Sequence, residues 1–119
     1  KVLMAYMSPQ EADRVIEKTG LKLVTEIGIT DRKLLLSHLE NVRERGYDYS
    51  ISDVTTGASA LATPIFGAEK QIVAALTVRG PEVRMSVAKM KQMVPWLIKT
   101  SDEISAELGC TGLDRARTA

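Results

Sequence analysis

Apolar side chains recur every three or four residues in three stretches of the chain, which predicts three amphipathic helices. Ser8, Pro9 and Glu11 form a capping box at the start of the first helix. Gly20 ends this helix, because glycine readily adopts the left-handed conformation found at helix ends. Residues 1–7 have the pattern of the end of an earlier helix. The first part of the chain is therefore predicted to be helical.

The second and third helices carry similar signals at their ends. Thr30 caps the second helix, which covers residues 31–45. Ser86 caps the third helix, which runs to about Leu108 and is bent at Pro95. The side chains predicted to face inward from these two helices are Leu35, Leu39, Val42, Met90, Val94, Leu97, Ile104 and Leu108.

Apolar and polar positions alternate between the second and third helices, which predicts strands. Residues 47–53 form one strand. Residues 58–66 and 71–81 form a hairpin around a loop of residues 67–70. Helices combined with an antiparallel hairpin indicate an α/β fold of the α+β type.

The hairpin loop sets a register in which Phe66 lies opposite Gln71. Because side chains alternate along a strand, this register divides the hairpin into two faces. The first face, here called the core face, has the pairs Ile65–Ile72, Thr63–Ala74 and Leu61–Leu76. The second, here called the small face, has the pairs Ala62–Ala75, Ala60–Thr77 and Ala58–Arg79.

The small face has two interpretations. Small side chains let a helix pack closely against a sheet, and they also leave an apolar recess for a ligand beside a few polar groups. In such a recess Arg79 would bind a carboxylate through two hydrogen bonds; otherwise it would extend to solvent. Ser50 in the preceding strand would add a hydroxyl to the rim, or would face solvent. The sequence leaves these alternatives open.

The composition is that of one compact domain of 119 residues, of which 45% are apolar and 26% are charged. The formal net charge of +1 provides no long-range field to attract nucleic acid, an anionic membrane or an acidic substrate. No apolar run is long enough to span a membrane. Because the chain begins at Lys1 within a helical pattern and without a secretory signal, we expect an N-terminal part to be missing.

Cys110 is the single cysteine of the sequence, so an internal disulfide is excluded. No cysteine and histidine side chains have the spacing of metal ligands, and a reducing cytoplasm is the expected compartment. A thiol-dependent enzyme would need Cys110 as its nucleophile and His38 as the base. Cys110 follows the last helix in a glycine-flanked segment, and His38 lies on a charged helix, which disfavours catalysis. We therefore expect no enzyme activity, no metal and no cofactor.

Several features occur together in a characteristic order. An arginine-rich helix ends in Gly-Tyr, and Gly57 precedes a strand with the motif Ala-x-Pro-hydrophobic-Phe at residues 62–66. The next strand closes with Ala-Ala-Leu-x-Val-x-Gly-Pro at residues 74–81, before a capped helix whose last segment is residues 103–109. In this order and spacing, residues 1–109 resemble the C-terminal effector-binding domain of IclR-family transcriptional regulators.

The resemblance implies a GAF- or PAS-like antiparallel sheet flanked by helices, with a pocket for a small effector such as a carboxylic acid or an aromatic compound. It also implies a sensor domain at residues 1–109, truncated at its N-terminus, and a tail at residues 110–119. Domains of this family associate as dimers or tetramers. An upstream winged helix-turn-helix binds DNA in the family, so this chain alone is not expected to bind DNA. The alternative is a domain that oligomerises without a ligand.

The resemblance assigns effector contacts to five positions of this chain, which are Ser50, Ala58, Ala60, Thr77 and Arg79. The family often has an acidic residue where this chain has Ser50, and serine where it has Arg79. Some acid-sensing members have cysteine where this chain has Ala60. Arg79 is expected to pair with the carboxylate of the effector, while Thr77 and Ser50 donate hydrogen bonds. Ala58 and Ala60 leave room for the body of the ligand.

Overall fold

The computed structural model describes residues 1–19, 32–51 and 57–112. The helices in these ranges are α1 (Val2–Ala5), α2 (Pro9–Thr19), α3 (Arg32–Arg45) and α4 (Val87–Glu107). The strands are β1 (Asp48–Ile51), β2 (Ala58–Phe66) and β3 (Ile72–Pro81). The predicted helix end at Gly20 and the predicted cap at Thr30 lie outside the described residues. The predicted mixture of helices and an antiparallel sheet is confirmed.

Serine caps begin two of the helices, as the sequence predicts. At α2 the Glu11 N–H donates to Ser8 Oγ over 3.2 Å, and the Ser8 N–H donates to Glu11 Oε2 over 3.4 Å. At α4 the Lys89 N–H donates to Ser86 Oγ over 3.2 Å. These bonds satisfy backbone donors that have no partner inside a helix. Both predicted helix starts are therefore confirmed.

The three strands form one antiparallel sheet with β2 in the middle. Ala60 lies opposite Arg79, and Ala62 lies opposite Thr77. The predicted partners, Thr77 for Ala60 and Ala75 for Ala62, are therefore wrong by two positions. A shift of two leaves side chains on their predicted faces, because they alternate with a period of two. The core face and the small face are thus retained along most of the hairpin.

The loop and a β-bulge together explain the shifted register. The strands are connected by Gly67–Gln71, one residue more than the predicted loop. The ladder then skips Val73, which forms a bulge between Ile72 and Ala74. Because the loop is one residue longer than predicted, Ile72 pairs with Phe66 and packs on the same side, not on the predicted core face. Each of the two extra residues shifts the register by one position.

Hydrophobic cores lie on both faces of the sheet. The first core joins the small face to the three N-terminal helices, and its buried members are Val2, Ala5, Tyr6, Ile16, Leu35, Leu39, Val42, Phe66 and Cys110. The second core joins the core face to α4, and its buried members are Leu61, Met85, Met90 and Leu97. Cys110, which the sequence analysis assigns to a tail, is only 4% exposed and belongs to the first core.

The predicted inward faces of α3 and α4 are mostly confirmed. Five of the predicted residues are buried, and these are Leu35, Leu39, Val42, Met90 and Leu97. Leu108 is 50% exposed, so its predicted inward position is wrong. Ser101 and Ser105 are buried on α4 instead. The Ser105 hydroxyl accepts from the Phe66 N–H over 2.9 Å and donates to the Ser101 carbonyl over 2.8 Å, which makes its burial tolerable.

Replacing Ser105 by alanine is expected to lower the free energy of unfolding by about 1–3 kcal/mol, because the buried Phe66 N–H loses this hydrogen bond. Urea denaturation followed by circular dichroism measures the change. Thr100→Ala is the matched control, since it removes an exposed hydroxyl that bonds the carbonyl of Trp96 on the same helix. The control is expected to change stability by less than about 0.5 kcal/mol. Equal losses in the two variants would contradict the role of Ser105.

None of the helices in the described ranges is both long enough and apolar enough to cross a membrane.

Candidate functional site

Three cross-strand rows bring the predicted site residues onto one face of the sheet. The first row contains Ser50, Ala60 and Arg79. The second row contains Asp48, Ala62 and Thr77. The third row contains Ala58 and Pro81. Neighbouring strands are about 4.8 Å apart, so the members of a row lie side by side and point to the same face.

The small face is covered at one end and open at the other. Ala62 and Ala75 pack against the first core, to which α1 contributes Val2 and Ala5. Beyond them, Ala60 borders an open recess of about 180 Å³. One end of the small face therefore packs against a helix, as in the first interpretation, and the other end borders an open space. That this space receives a ligand stays a prediction.

The recess lies where α1, β1 and β2 meet. Its lining residues are Lys1, Val2, Asp48, Tyr49, Ser50, Ala60 and Ala62. Two predicted site residues, Ser50 and Ala60, are among them. Ala58 is partly buried beside the lining, whereas Thr77 and Arg79 are exposed on β3. The structure thus brings the five residues to one face but divides them between the recess and its margin.

Arg79 projects from β3 at the edge of the described sheet. It lies directly opposite Ala60, which lines the recess. Among residues 1–19, 32–51 and 57–112, none forms an ion pair or hydrogen bond with the Arg79 side chain. An exposed guanidinium without an internal partner is available to a bound anion and is equally compatible with simple solvation.

Asp48 is a charged residue of the recess that the sequence analysis missed. Its side chain is 6% exposed, and Arg45 Nη2 lies 2.8 Å from its Oδ1. His38 Nε2 lies 3.1 Å from the same oxygen, and Lys1 Nζ lies 3.6 Å from Oδ2. A carboxylate can remain charged in a buried position when cations and hydrogen bonds compensate it in this way. The recess wall is therefore an ionic cluster and not a purely apolar surface.

Arg45 is held in place within this cluster by further contacts. Its Nε donates to the Tyr47 carbonyl over 2.7 Å. Its guanidinium carbon lies 4.9 Å from the ring centroid of Tyr47 and 5.3 Å from that of Tyr49, within cation–π range. Lys1 and Arg45 thus place two cationic side chains against the Asp48 carboxylate at this end of the recess.

Cys110 and His38, considered above as a nucleophile and a base, have structural partners. Cys110 is buried in the first core, and the His38 side chain, which is 28% exposed, contacts Asp48. In the described part of the chain, no three histidine, cysteine, aspartate or glutamate side chains are grouped so that they could hold a metal ion.

A sequence profile described as “Bacterial transcriptional regulator IclR C-terminal” matches residues 1–106. The chain belongs to the IclR family. The match covers every described strand and nearly all of α4, so the whole site described above lies within the IclR domain.

Curated relatives from the IclR family are regulators of transcription. The chain is 31% identical over 105 residues to the HTH-type transcriptional regulator BhcR of Paracoccus denitrificans, which covers 88% of this chain and 38% of BhcR. It is 31% identical over 109 residues to the HTH-type transcriptional regulator KdgR of Escherichia coli, which covers 92% of this chain and 41% of KdgR. The chain thus spans about two fifths of the length of these relatives.

Solved structures with the same fold include C-terminal domains of IclR regulators. The C-terminal domain of Escherichia coli KdgR superposes with a TM-score of 0.79 at 30% identity, covering 91% of this chain and 66% of that one. The inducer-binding domain of PobR from Acinetobacter, a double mutant in complex with 3-hydroxybenzoic acid, has a TM-score of 0.75 at 26% identity. That match covers 87% of this chain and 60% of the PobR domain.

The comparisons confirm the family, the fold and the regulatory class expected from the sequence. The matched proteins are named transcriptional regulators and not enzymes, in agreement with the expectation for this chain. The assignment of effector contacts to Ser50, Ala58, Ala60, Thr77 and Arg79 stays a prediction.

Proposed function

We propose that this chain is the ligand-sensing domain of a bacterial transcriptional regulator and binds a small organic acid at the small face. The observation that carries the proposal is the row formed by Ser50, Ala60 and Arg79. This row combines a hydroxyl, a small side chain and a guanidinium that has no ion pair or hydrogen bond with any other described residue. A site for a small carboxylate needs these three elements, namely a donor, space and a cation.

Each predicted contact has a separate role in the proposed complex. Arg79 pairs with the carboxylate from the margin of the recess, and Thr77 in the neighbouring row donates a hydrogen bond beside it. Ser50 donates a second hydrogen bond from the opposite side of β2. Ala58 and Ala60 leave space for the aliphatic or aromatic body of the ligand.

The related PobR domain supports this class of ligand. Its structure contains 3-hydroxybenzoic acid, a small aromatic carboxylic acid, and its fold matches the present chain with a TM-score of 0.75. We propose that an effector of comparable size changes the association of this domain with further copies and thereby the DNA binding of a winged helix-turn-helix elsewhere in the regulator. The effector shifts this equilibrium only as far as its affinities for the two arrangements differ.

A domain that only oligomerises is the second candidate function. The observation that favours it is the packing of Ala62 and Ala75 against the first core, which shows that α1 already uses part of the small face. A thermal-shift screen separates the two functions. An acid present at a hundred times its dissociation constant should add about 2.7 kcal/mol to the free energy of unfolding, whereas a ligand-free module would show no shift.

Arg79→Ala is expected to weaken the binding of the acid at least tenfold, because a charge-assisted hydrogen-bonded pair contributes about 1.5–3 kcal/mol. Isothermal titration calorimetry measures the loss, with 3-hydroxybenzoate and a panel of small metabolite acids as probes. Arg84→Ala is the matched control, since Arg84 is also an exposed arginine but lies in the turn after β3. Equal affinity of the wild type and Arg79→Ala would exclude the proposed role of Arg79.

A further inference from the structure

The outer face of α4 carries an exposed tryptophan near its middle. Trp96 is 71% exposed, although its ring is among the largest apolar groups of the chain. It borders a cleft of about 160 Å³ between α4 and β3, lined also by Val78, Met93, Leu97 and Thr100. Tryptophan is enriched at the energetically important centres of protein interfaces, where a neighbouring pocket receives it. The face therefore has both an anchor and a pocket for one.

Charged residues flank Trp96 symmetrically along the helix. Lys89 lies seven residues before it and Glu103 lies seven residues after it. Seven residues are almost two turns, so both side chains point within about 20° of the direction of Trp96. Both are exposed, and neither takes part in an ion pair with another residue of the described ranges. Along the line of Trp96 the stripe thus has a basic residue before the tryptophan and an acidic residue after it, while the exposed Lys99 lies about 60° to one side.

This arrangement is complementary to itself in one orientation. If two copies of α4 pack antiparallel about a two-fold axis at Trp96, Lys89 of each copy lies opposite Glu103 of the other. A two-fold interface uses the same surface on both partners, so one favourable pair always occurs twice. In a parallel arrangement Lys89 would lie opposite Lys89 and Glu103 opposite Glu103. The charge pattern therefore selects the antiparallel dimer.

We propose that the outer face of α4 is the self-association surface of this chain and that a second copy packs antiparallel across it. The Trp96 ring of each copy enters the cleft beside Val78 and Met93 of the other. One Lys89–Glu103 ion pair forms at each end of the interface. The proposal rests on the self-association included in the proposed function. It does not depend on the acid-binding site, which lies on the opposite face of the sheet.

Charge reversal tests the proposed orientation on exposed residues whose replacement leaves the fold intact. Lys89→Glu and Glu103→Lys are each expected to raise the dimer dissociation constant at least tenfold, because each creates two like-charge contacts per dimer. A mixture of the two variants in equal amounts should restore association, since every contact in the mixed dimer then joins opposite charges. Sedimentation velocity over a range of concentrations of the 119-residue chain measures all three states.

Two further variants complete the experiment. Trp96→Ala should also raise the dissociation constant at least tenfold, with the fold checked by circular dichroism. Lys91→Glu is the matched control for charge, because Lys91 lies on α4 about 140° away from Trp96 and should leave association unchanged. A monomeric wild type, undisturbed association of the two charge-reversed variants, or failure of their mixture to associate would each overturn the proposal.

Acid binding is measured separately by calorimetry on the same samples. Retained binding by a charge-reversed variant that has lost association supports separate sites. If Arg79→Ala loses acid binding but associates normally, the result bears on the proposed acid site and not on the self-association surface.

Discussion

Phe66→Ala is expected to lower the free energy of unfolding by about 3–5 kcal/mol, which is a large part of the total stability of a domain of this size. Phe66 is fully buried where the end of β2 meets the first core. Its ring meets that of Tyr6 edge to face, with the ring centroids 5.2 Å apart. Truncation removes the apolar surface, the aromatic contact and the volume that separates the sheet from the N-terminal helices.

Chemical denaturation monitored by circular dichroism and by tyrosine fluorescence measures this loss. Val83→Ala is the matched control, because Val83 is 93% exposed and its truncation should change stability by no more than about 0.5 kcal/mol. A loss below about 1 kcal/mol for Phe66→Ala would mean that the cavity is refilled and that the first core is not closely packed.

Asp48→Asn is expected to lower the free energy of unfolding by about 2–4 kcal/mol. The substitution keeps the shape of the side chain but leaves Arg45, Lys1 and His38 around a neutral group in a mostly buried position. Breaking a buried ion pair costs about 3–5 kcal/mol; we expect somewhat less here because the Arg45 and His38 side chains are 31% and 28% exposed.

The exposed ion pair between Asp13 and Arg32 provides the control for this prediction. Its side chains are 45% and 54% exposed, so Asp13→Asn should cost less than about 1 kcal/mol. Both variants are compared in the same urea titration. If Asp13→Asn and Asp48→Asn were equally mild, the ionic cluster beside the recess would be a solvated surface feature and not a structural element.

The faces of the hairpin could be predicted from the sequence, whereas the partners of individual residues could not. Alternation with a period of two fixes which side chains share a face. The partners depend on the loop length and on the bulge at Val73, and the apolar run Ile72–Ala74 contains nothing that distinguishes a bulge from a regular strand. The alternation pattern therefore predicts which residues belong to the small face, but it does not predict which of them lie opposite each other on neighbouring strands.

The ionic cluster and the position of Cys110 depend on contacts between distant segments. The partners of Asp48 are His38 and Arg45 of α3 and Lys1, the first residue of the chain, and no single sequence pattern links the three. Cys110 returns to the first core because Gly109, with φ of +93°, reverses the chain after α4. The Cys110 N–H then donates to the Ser105 carbonyl over 2.9 Å. The composition of a C-terminal segment alone does not predict such a reversal of the chain.

The bulge at Val73 shows that the orientation of β3 depends on whether the connection has an odd or an even number of residues. Compared with a four-residue connection, a five-residue connection alone would exchange the two faces of β3. The unpaired Val73 restores the original faces. Inserting or deleting a single residue between Gly67 and Gln71 would consequently exchange the two sides of β3 unless the bulge were gained or lost at the same time. Changes by two residues would leave the small face of β3 in place, so we expect the length of this connection to vary in steps of two residues.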